Sequence, residues 1–324
     1  MGNSRSGRAP SGGKSANAGS ATYKPRDVEE LVDFHIHRPV ARSLVRVLAK
    51  TPITSNQVTV ASAILGIAAG FCAGFAGPGS LWLMTLAGVL LFTSVIFDCS
   101  DGQLARLRGT SSLAGHALDG AVDAFPIAAM YIGTVIYCDS VGINPYYVWP
   151  LATAAGLSLR WHAETYDFAK GLYLANTAEG QTEALPSLEA IEAERQRVLA
   201  SGQRVMAFFL TLFAQYSKVQ RKKRKGQVGL DSPAMQTDEA RAIYRRVFRR
   251  HMRWWSWNGI GIHHFLMVVA CLVTPLYPPA LLITYWVIVL GGNALAIALL
   301  MEAPRLEKRL AEALASQPET PSAG

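Results

Sequence analysis

The chain alternates between long stretches without charge and short stretches rich in charge. Residues 51–97 and 254–301 contain no Asp, Glu, Lys or Arg, and Asp139 is the only such residue between 124 and 159. A helix needs about 20 apolar residues to cross a bilayer, so each of these three stretches has room for two crossings. We therefore predict six membrane helices, separated by turns that contain Gly, Pro or Asn. The predicted spans are 57–76, 80–98, 113–137, 147–168, 256–276 and 279–301.

The composition favours a membrane protein over a soluble one. Hydrophobic residues make up 50% of the 324 residues and charged residues 17%, an unusual balance for a soluble domain. A soluble helical globule would have to bury six helices that are apolar on every side. The predicted fold class is all-α: a polytopic membrane protein with six transmembrane helices, an N-terminal interfacial amphipathic helix and a long cytoplasmic helical insertion.

The basic residues predict an orientation. All 31 Lys and Arg residues lie in segments that six spans place on one side of the membrane, and the three opposite loops contain none. The positive-inside rule makes that side cytoplasmic, which in a bacterium is the inner face of the inner membrane. We expect both termini, and any site between spans 2 and 3, to face the cytoplasm. The net charge of +8 then favours anionic lipids as partners and not nucleic acid.

Composition also divides the chain into parts. Residues 1–22 are rich in Gly, Ser and Ala and are predicted to be disordered. Residues 23–52 mix apolar and basic positions at helical spacing, which is typical of an interfacial amphipathic segment. Residues 53–302 form the membrane domain, with a cytoplasmic insertion at 175–253. Residues 303–324 form a C-terminal tail.

Residues 98–123 carry four carboxylates in two pairs, Asp98 with Asp101 and Asp119 with Asp123. Spacings of three and four residues put each pair on one face of a helix. A single pair of this kind is usually a solvated helix face. Here both pairs adjoin membrane-length apolar runs, where acidic residues are costly and commonly functional. Clustered carboxylates need a counter-charge, and oxygen ligands suit Mg²⁺ or Mn²⁺.

This acidic stretch resembles the signature of the CDP-alcohol phosphotransferase (phosphatidyltransferase) family of integral membrane proteins, D-x2-D-G-x2-A-R-x8-G-x3-D-x3-D. The signature defines eight positions, and the chain fills all of them at the required spacing. The matching residues are Asp98, Asp101, Gly102, Ala105, Arg106, Gly115, Asp119 and Asp123.

The resemblance implies an enzyme that transfers a substituted phosphate from a CDP-linked donor to an alcohol and releases CMP. It implies that Asp98, Asp101 and Asp119 bind two Mg²⁺ or Mn²⁺ ions, which clamp the attacked phosphate and the leaving CMP. Asp123 would take the proton from the attacking hydroxyl as general base, and would also touch the second metal.

The remaining motif residues would bind the donor nucleotide. Gly102, Ala105 and Gly115 are small, so the nucleotide can approach the backbone closely. Arg106 can contact phosphate in a fork geometry. The start of span 1 also resembles the family's first membrane helix, which makes Asn56 and Thr59 further candidates. Ser55 or Asn56 is the expected N-cap of that helix.

The donor and the acceptor are less well defined. Membrane members of the family usually take CDP-diacylglycerol and act in phospholipid biosynthesis. Relatives that use glycerophosphate commonly have Pro after the third aspartate and Lys after the fourth, whereas this chain has Gly120 and Ala124. Arg160, at the end of span 4, could bind an anionic alcohol or reach lipid phosphate instead. We expect a small polyol or polyol-phosphate acceptor, and a homodimer by resemblance.

Two other classes of function fit part of the pattern. A membrane transporter or cation-binding protein could use the acidic cluster without catalysis, although transport sites tend to lie near mid-bilayer. A hydrolase would transfer the phosphoryl group to water. The four cysteines, Cys72, Cys99, Cys138 and Cys271, lack zinc-site spacing, and we expect them to pack as small apolar residues.

Overall fold

The computed structural model describes residues 26–177, 186–224 and 237–316, and this part of the chain is helical without a strand. The predicted disordered tail, residues 1–22, lies outside the described residues. The described α-helices are α1 (Arg38–Leu48), α2 (Ser55–Phe75), α3 (Trp82–Arg108), α4 (Leu113–Val122), α5 (Ala124–Ser140), α6 (Pro145–Thr177), α7 (Leu188–Ala200), α8 (Arg204–Arg224), α9 (Asp238–Trp255), α10 (Ile260–Val273), α11 (Ala280–Trp286) and α12 (Asn293–Ala315). The predicted C-terminal tail therefore begins inside α12.

Five helical stretches of the described chain are long and apolar enough to cross a membrane. They are α2, α3, α4 continued by α5, α9 continued by α10, and α11 continued by α12. The predicted all-α polytopic fold is confirmed, but the count of six spans is not. The remaining predicted span, 147–168, lies in α6. Its charge-free run extends from Pro145 to Leu159, which is shorter than a bilayer crossing, although α6 packs against α5 in the main core.

Small residues bring α2 and α5 into close contact. Gly70 lies against the backbone of Ala129, and Gly133 lies against the carbonyl oxygen of Gly70, so a side chain at either glycine would collide with its neighbour. Close backbone approach of this kind is a common way for membrane helices to associate. Because α5 continues α4, this contact also fixes the distance between α2 and the helix that carries the second aspartate pair.

The N-terminus of α2 is capped by Thr54. Our prediction of Ser55 or Asn56 as the N-cap was wrong. The Thr54 hydroxyl accepts a hydrogen bond from the Gln57 backbone N–H at 3.3 Å, and the Gln57 side chain accepts one from the Thr54 backbone N–H at 2.9 Å. This reciprocal capping box starts the helix one or two residues earlier than the sequence suggested. Asn56 therefore lies in the first turn of α2, and it lines the pocket described below.

The segment before α1 is attached to the rest of the bundle through Asp27. Its carboxylate accepts hydrogen bonds from Arg245 Nε at 2.6 Å, Arg249 Nε at 3.0 Å and the Tyr173 hydroxyl at 3.0 Å. Burial acts to raise the pKa of Asp27, but the hydrogen bonds and the charges of the two arginines hold it below its ordinary value. This buried carboxylate links the N-terminal segment to α6 and α9.

Glu30, in the same segment, caps α10. Its carboxylate accepts the backbone N–H of Ile262 at 3.2 Å, a group that the first turn of a helix leaves unpaired. Gly259 leaves the space for it, because a Cβ there would collide with the Glu30 carboxylate. Burial and the neighbouring Asp33 raise the pKa of Glu30 well above its ordinary value.

The described part of the insertion contributes a helical hairpin that packs on α4. The hairpin consists of α7 and α8, and its buried apolar residues join Ala117 of α4 in one cluster. The buried members of the cluster are Ala117, Ile191, Val198, Ala207 and Leu210. The apolar segment at 205–216, too short to cross a membrane, thus covers the helix that carries Asp119.

Candidate active site

The two aspartate pairs lie on two helices joined by a tight reversal. Asp98 and Asp101 belong to α3, which ends at Gly109 in the left-handed conformation, with φ +65°. Glycine adopts this conformation without steric cost. The Ser112 hydroxyl then accepts the Gly115 backbone N–H at 3.0 Å and caps α4. The turn of the chain therefore brings α4 back beside the C-terminal part of α3.

Three of the four carboxylates converge. Asp98, Asp101 and Asp119 each offer an oxygen, and these oxygens lie within 4.8 Å of one another. Asp123, at the junction of α4 and α5, lies close enough to Asp98 to share a hydrogen bond. An all-oxygen set of carboxylates on two rigid helices fits a hard divalent cation such as Mg²⁺ or Mn²⁺.

Thr59 of α2 supports this cluster from a third helix. Its hydroxyl donates a hydrogen bond to the Asp101 carboxylate, and both side chains are buried, at 5% and 4% exposure. A hydrogen bond of this kind fixes the direction in which a metal-binding carboxylate points. Thr59, noted in the sequence as a nucleotide candidate, thus lies directly behind an aspartate.

A pocket of about 490 Å³ opens beside the carboxylates. Six of the eight motif residues line it, as do both α2 candidates from the sequence. The lining residues of this wall are Asn56, Thr59, Asp101, Gly102, Ala105, Arg106, Gly115 and Asp119. Asp98 and Asp123 lie beside the carboxylates of Asp101 and Asp119 but do not line the pocket. The volume lies in the range of small-molecule sites.

The two glycines of the motif, Gly102 and Gly115, lie where a side chain would contact neighbouring groups of the pocket wall. A Cβ at Gly115 would lie 3.2 Å from Ser112 Oγ and 3.5 Å from Asn56 Oδ1. A Cβ at Gly102 would lie 3.3 Å from the Arg106 guanidinium. A larger residue at Gly115 would press on the α4 cap, and one at Gly102 would press on the arginine. The absence of a side chain at Gly102 therefore lets the Arg106 guanidinium lie close to the backbone of α3.

A second wall comes from α6, and the sequence analysis did not identify it. Asp167, Lys170, Gly171 and Leu174 line the pocket at positions i, i+3, i+4 and i+7, which lie on one helix face. Lys170 is a second basic residue in the pocket besides Arg106, and basic side chains of this kind bind phosphate. The signal in the sequence was the charged pair Asp167 and Lys170 at a spacing of three residues.

Arg160, the predicted acceptor-binding residue, is not among the residues that line the pocket. Its side chain is 73% exposed and forms an ion pair with Glu164 at 2.6 Å. The structure thus brings together the motif residues and leaves Arg160 apart from them. Lys170, ten residues further along α6, lines the pocket.

The third wall belongs to the insertion. Pro186 and three residues of α8, Phe213, Tyr216 and Gln220, complete the lining. The rings of His116 on α4 and Phe213 meet edge to face, with centroids 5.3 Å apart. The hairpin therefore supplies part of the pocket lining beside α4.

All four cysteines are free thiols within described helices; Cys138 and Cys271 are buried, whereas Cys72 and Cys99 are partly exposed. Cys99 follows Asp98 directly. Its sulfur also lies within 4.8 Å of ligand atoms of Asp33 and His37, on the side of α3 toward the N-terminal segment.

The molecule belongs to the class of helical membrane proteins. Its clustered aspartates, Arg106 and Lys170 border a pocket large enough for a nucleotide. Residues 52–166 match the family model of the CDP-alcohol phosphatidyltransferases. The chain therefore carries a CDP-alcohol phosphatidyltransferase domain, which confirms the resemblance drawn from the motif.

A relative in Thermococcus kodakarensis, named as a bifunctional IPC transferase and DIPP synthase, is 26% identical over 135 residues. That similarity covers 42% of this chain and 29% of the relative, so the chain spans less than a third of that protein's length. The similarity supports the family and leaves this chain's own substrates to be determined.

Proposed function

We propose that this protein transfers a substituted phosphate from a CDP-linked alcohol to the hydroxyl of a second alcohol and releases CMP. The observation that carries the proposal is the pocket itself, in which Asp101, Asp119, Arg106 and the small motif residues lie on one wall. The family match over 52–166 supports the same reaction class.

The chemistry requires one bond to form and one to break. The acceptor oxygen bonds to the phosphorus that carries the donor's alcohol, the phosphoanhydride bond breaks, and CMP leaves with the bridging oxygen. Arg106 and Lys170, which both line the pocket, would contact the phosphate oxygens as charge shifts toward CMP. Asp98, Asp101 and Asp119 would hold Mg²⁺ or Mn²⁺, which when bound neutralises the charge of the pyrophosphate.

Asp123 is proposed as the general base that accepts the proton of the acceptor hydroxyl. It adjoins Asp98 without lining the pocket, so it would receive this proton at the edge of the carboxylate cluster. An Asp123→Asn variant keeps the shape of the side chain and removes its basicity. We expect CMP release to fall at least ~100-fold while CMP binding is largely kept. Activity above about a tenth of wild type would contradict this role.

We propose CDP-diacylglycerol as the donor, because five helical stretches of the described residues are long and apolar enough to cross a membrane and a lipid donor would be held in the bilayer. For the acceptor we propose a small polyol or polyol phosphate. The polar residues of the α6 wall, Asp167 and Lys170, support a hydroxylated and anionic acceptor. Arg160 stays a prediction from the sequence, and its exposed ion pair makes Lys170 the stronger candidate.

The proposal also includes the side of the membrane on which the pocket lies. If α6 crosses the membrane, all Lys and Arg segments lie on the cytoplasmic side together with the pocket and both termini. Cysteine labelling from each side of sealed vesicles, at single cysteines introduced at Gly79 and at Thr110, tests this arrangement. The homodimer expected from the resemblance stays a prediction.

The experiment that tests the function is CMP release by the purified protein in detergent. The assay contains CDP-diacylglycerol, Mg²⁺ or Mn²⁺ and a panel of polyols and polyol phosphates, with Asp123→Asn as the control. Release that needs metal, one acceptor and Asp123 supports the transferase. Release without any alcohol would indicate a hydrolase, and cation flux without CMP release would indicate a transporter.

A further inference from the structure

The pocket wall supplied by the insertion lies outside the part of the chain that matches the family. The family match ends at residue 166, yet Phe213, Tyr216 and Gln220 of α8 line the pocket. Their spacing of i, i+3 and i+7 places them on one face of α8. Because α8 is packed on α4 through the buried apolar cluster, this wall is held in place relative to Asp119.

Gln220 has an unusual hydrogen-bonding environment. It is 3% exposed, and its amide Nε2 donates a hydrogen bond to the Tyr216 hydroxyl at 3.0 Å. Its Oε1 is buried and accepts no hydrogen bond from the described residues. A buried acceptor without a donor is costly and is uncommon in folded proteins. Since Gln220 lines the pocket, a molecule in the pocket can supply the missing donor.

The neighbours of Gln220 indicate the shape of that molecule. Phe213 and Tyr216 offer aromatic surface beside the amide, and the edge-to-face contact with His116 orients the Phe213 ring. Flat heterocycles bind to such surfaces through their faces, while an adjacent amide forms hydrogen bonds with their edges. This combination is typical of a site for a nucleobase.

We propose that Gln220 recognises the exocyclic amino group of cytosine, with Phe213 and Tyr216 forming the apolar side of the base site. Cytosine carries a donor amino group at the ring position where uracil has an acceptor oxygen. The Gln220 oxygen therefore pairs with cytosine and opposes uracil. Because the CDP-linked donor of the proposed function supplies the cytosine, the role of Gln220 rests on that function. Gln220 determines specificity and contacts no reacting atom.

Calorimetric binding of CMP and of UMP to the full-length protein in detergent tests this role. We expect wild type to bind CMP about tenfold more tightly than UMP, the effect of one satisfied hydrogen bond at a buried group. Gln220→Met removes both polar atoms at similar length. It should weaken CMP binding about tenfold and abolish the preference for CMP.

Three further variants extend this test. Gln220→Glu keeps an acceptor oxygen and should retain a preference for CMP. Gln215→Met makes the same change at an exposed position of α8 and should bind both nucleotides as wild type does. If Gln220→Met disturbs folding, Gln220→Ala serves as a second removal of the amide.

The outcomes separate this role from the proposed function. If Gln220→Met and Gln220→Ala keep the wild-type preference while CMP release still depends on Asp123, the base-recognition role is wrong and the transferase stands. If wild type binds neither nucleotide and releases no CMP, both fail. Loss of the CMP preference in the Gln220 variants alone, with Gln215→Met unchanged, supports the proposal.

Discussion

The hydrogen bond from Thr59 to Asp101 gives the most direct test of how the carboxylate cluster is held. Replacing Thr59 by Val removes the hydroxyl and keeps the branched shape of the side chain. The Asp101 carboxylate then loses its donor in a site where both residues are about 95% buried, at 5% and 4% exposure. We expect Asp101 to turn away from the direction shared with Asp98 and Asp119.

The size of the effect follows from the kind of bond. A hydrogen bond to a charged group contributes about 1.5–3 kcal/mol, and every 1.4 kcal/mol corresponds to a tenfold change in affinity. Loss of a supporting hydrogen bond at a metal site commonly costs 10- to 100-fold in metal affinity or activity. The two estimates agree, so the Thr59→Val variant should need at least about ten times more Mg²⁺ for half-maximal CMP release.

The assay is a Mg²⁺ titration of CMP release, repeated as a Mn²⁺ binding measurement so that the result does not depend on turnover. Thr59→Ser keeps the hydroxyl and should stay within about threefold of wild type, because the hydrogen bond remains available. Thermal unfolding and the gel-filtration profile in detergent show whether each variant is folded. A folded Thr59→Val protein with wild-type metal dependence would refute the positioning role of Thr59.

Three further predictions concern packing, charge and the acceptor wall. Gly133→Ala should destabilise the protein by about 1–3 kcal/mol in detergent melting experiments because the new methyl group collides with α2, whereas Gly120→Ala, which meets nothing within 4 Å, should melt as wild type. Asp27→Asn should destabilise the protein by about 1–2 kcal/mol at neutral pH. Because the pKa of Asp27 is lowered on folding, its contribution is present above the ordinary pKa of about 4 and is lost as the pH falls through the lowered value, so the two melting curves should converge in acid. Lys170→Gln should raise the KM for a phosphorylated acceptor about tenfold while Arg160→Gln leaves it unchanged, and the reverse pattern would restore Arg160 as the acceptor residue.

Much of the fold could be predicted because charge-free runs long enough to cross a bilayer favour membrane helices. A soluble globule would have to bury such helices on every side. The site could be located because aspartates at spacings of three and four residues remain neighbours on a helix whatever the tertiary structure. Asp98 and Asp101 lie together on α3 as this spacing suggests, and the turn after Gly109 brings Asp119 of α4 to them. The span predicted at 147–168 is not confirmed, because aromatic residues and Pro150 near its start and Arg160 within it lower its apolar character.

The residues that close the pocket could not be predicted in this way. Lys170 and Gln220 reach it only because α6 and α8 present particular faces, and those faces depend on contacts between helices that are distant in sequence. Arg160 appeared to be the better candidate because it is nearer to the apolar run, yet its side chain turns outward to Glu164. Position along a helix sets which residues share a face, and only tertiary packing decides where that face points.

The hairpin that covers α4 also has a consequence for the order in which the protein matures. On the ribosome, α4 is complete at Val122, while its partner α8 begins at Arg204. At synthesis rates of about 5–20 residues per second, the helix with Asp119 is made several seconds or more before its cover exists. During that interval the apolar face around Ala117 lacks its final partner, so the pocket can be assembled only late in biogenesis. The nascent chain would therefore insert its first membrane helices before it could bind a nucleotide.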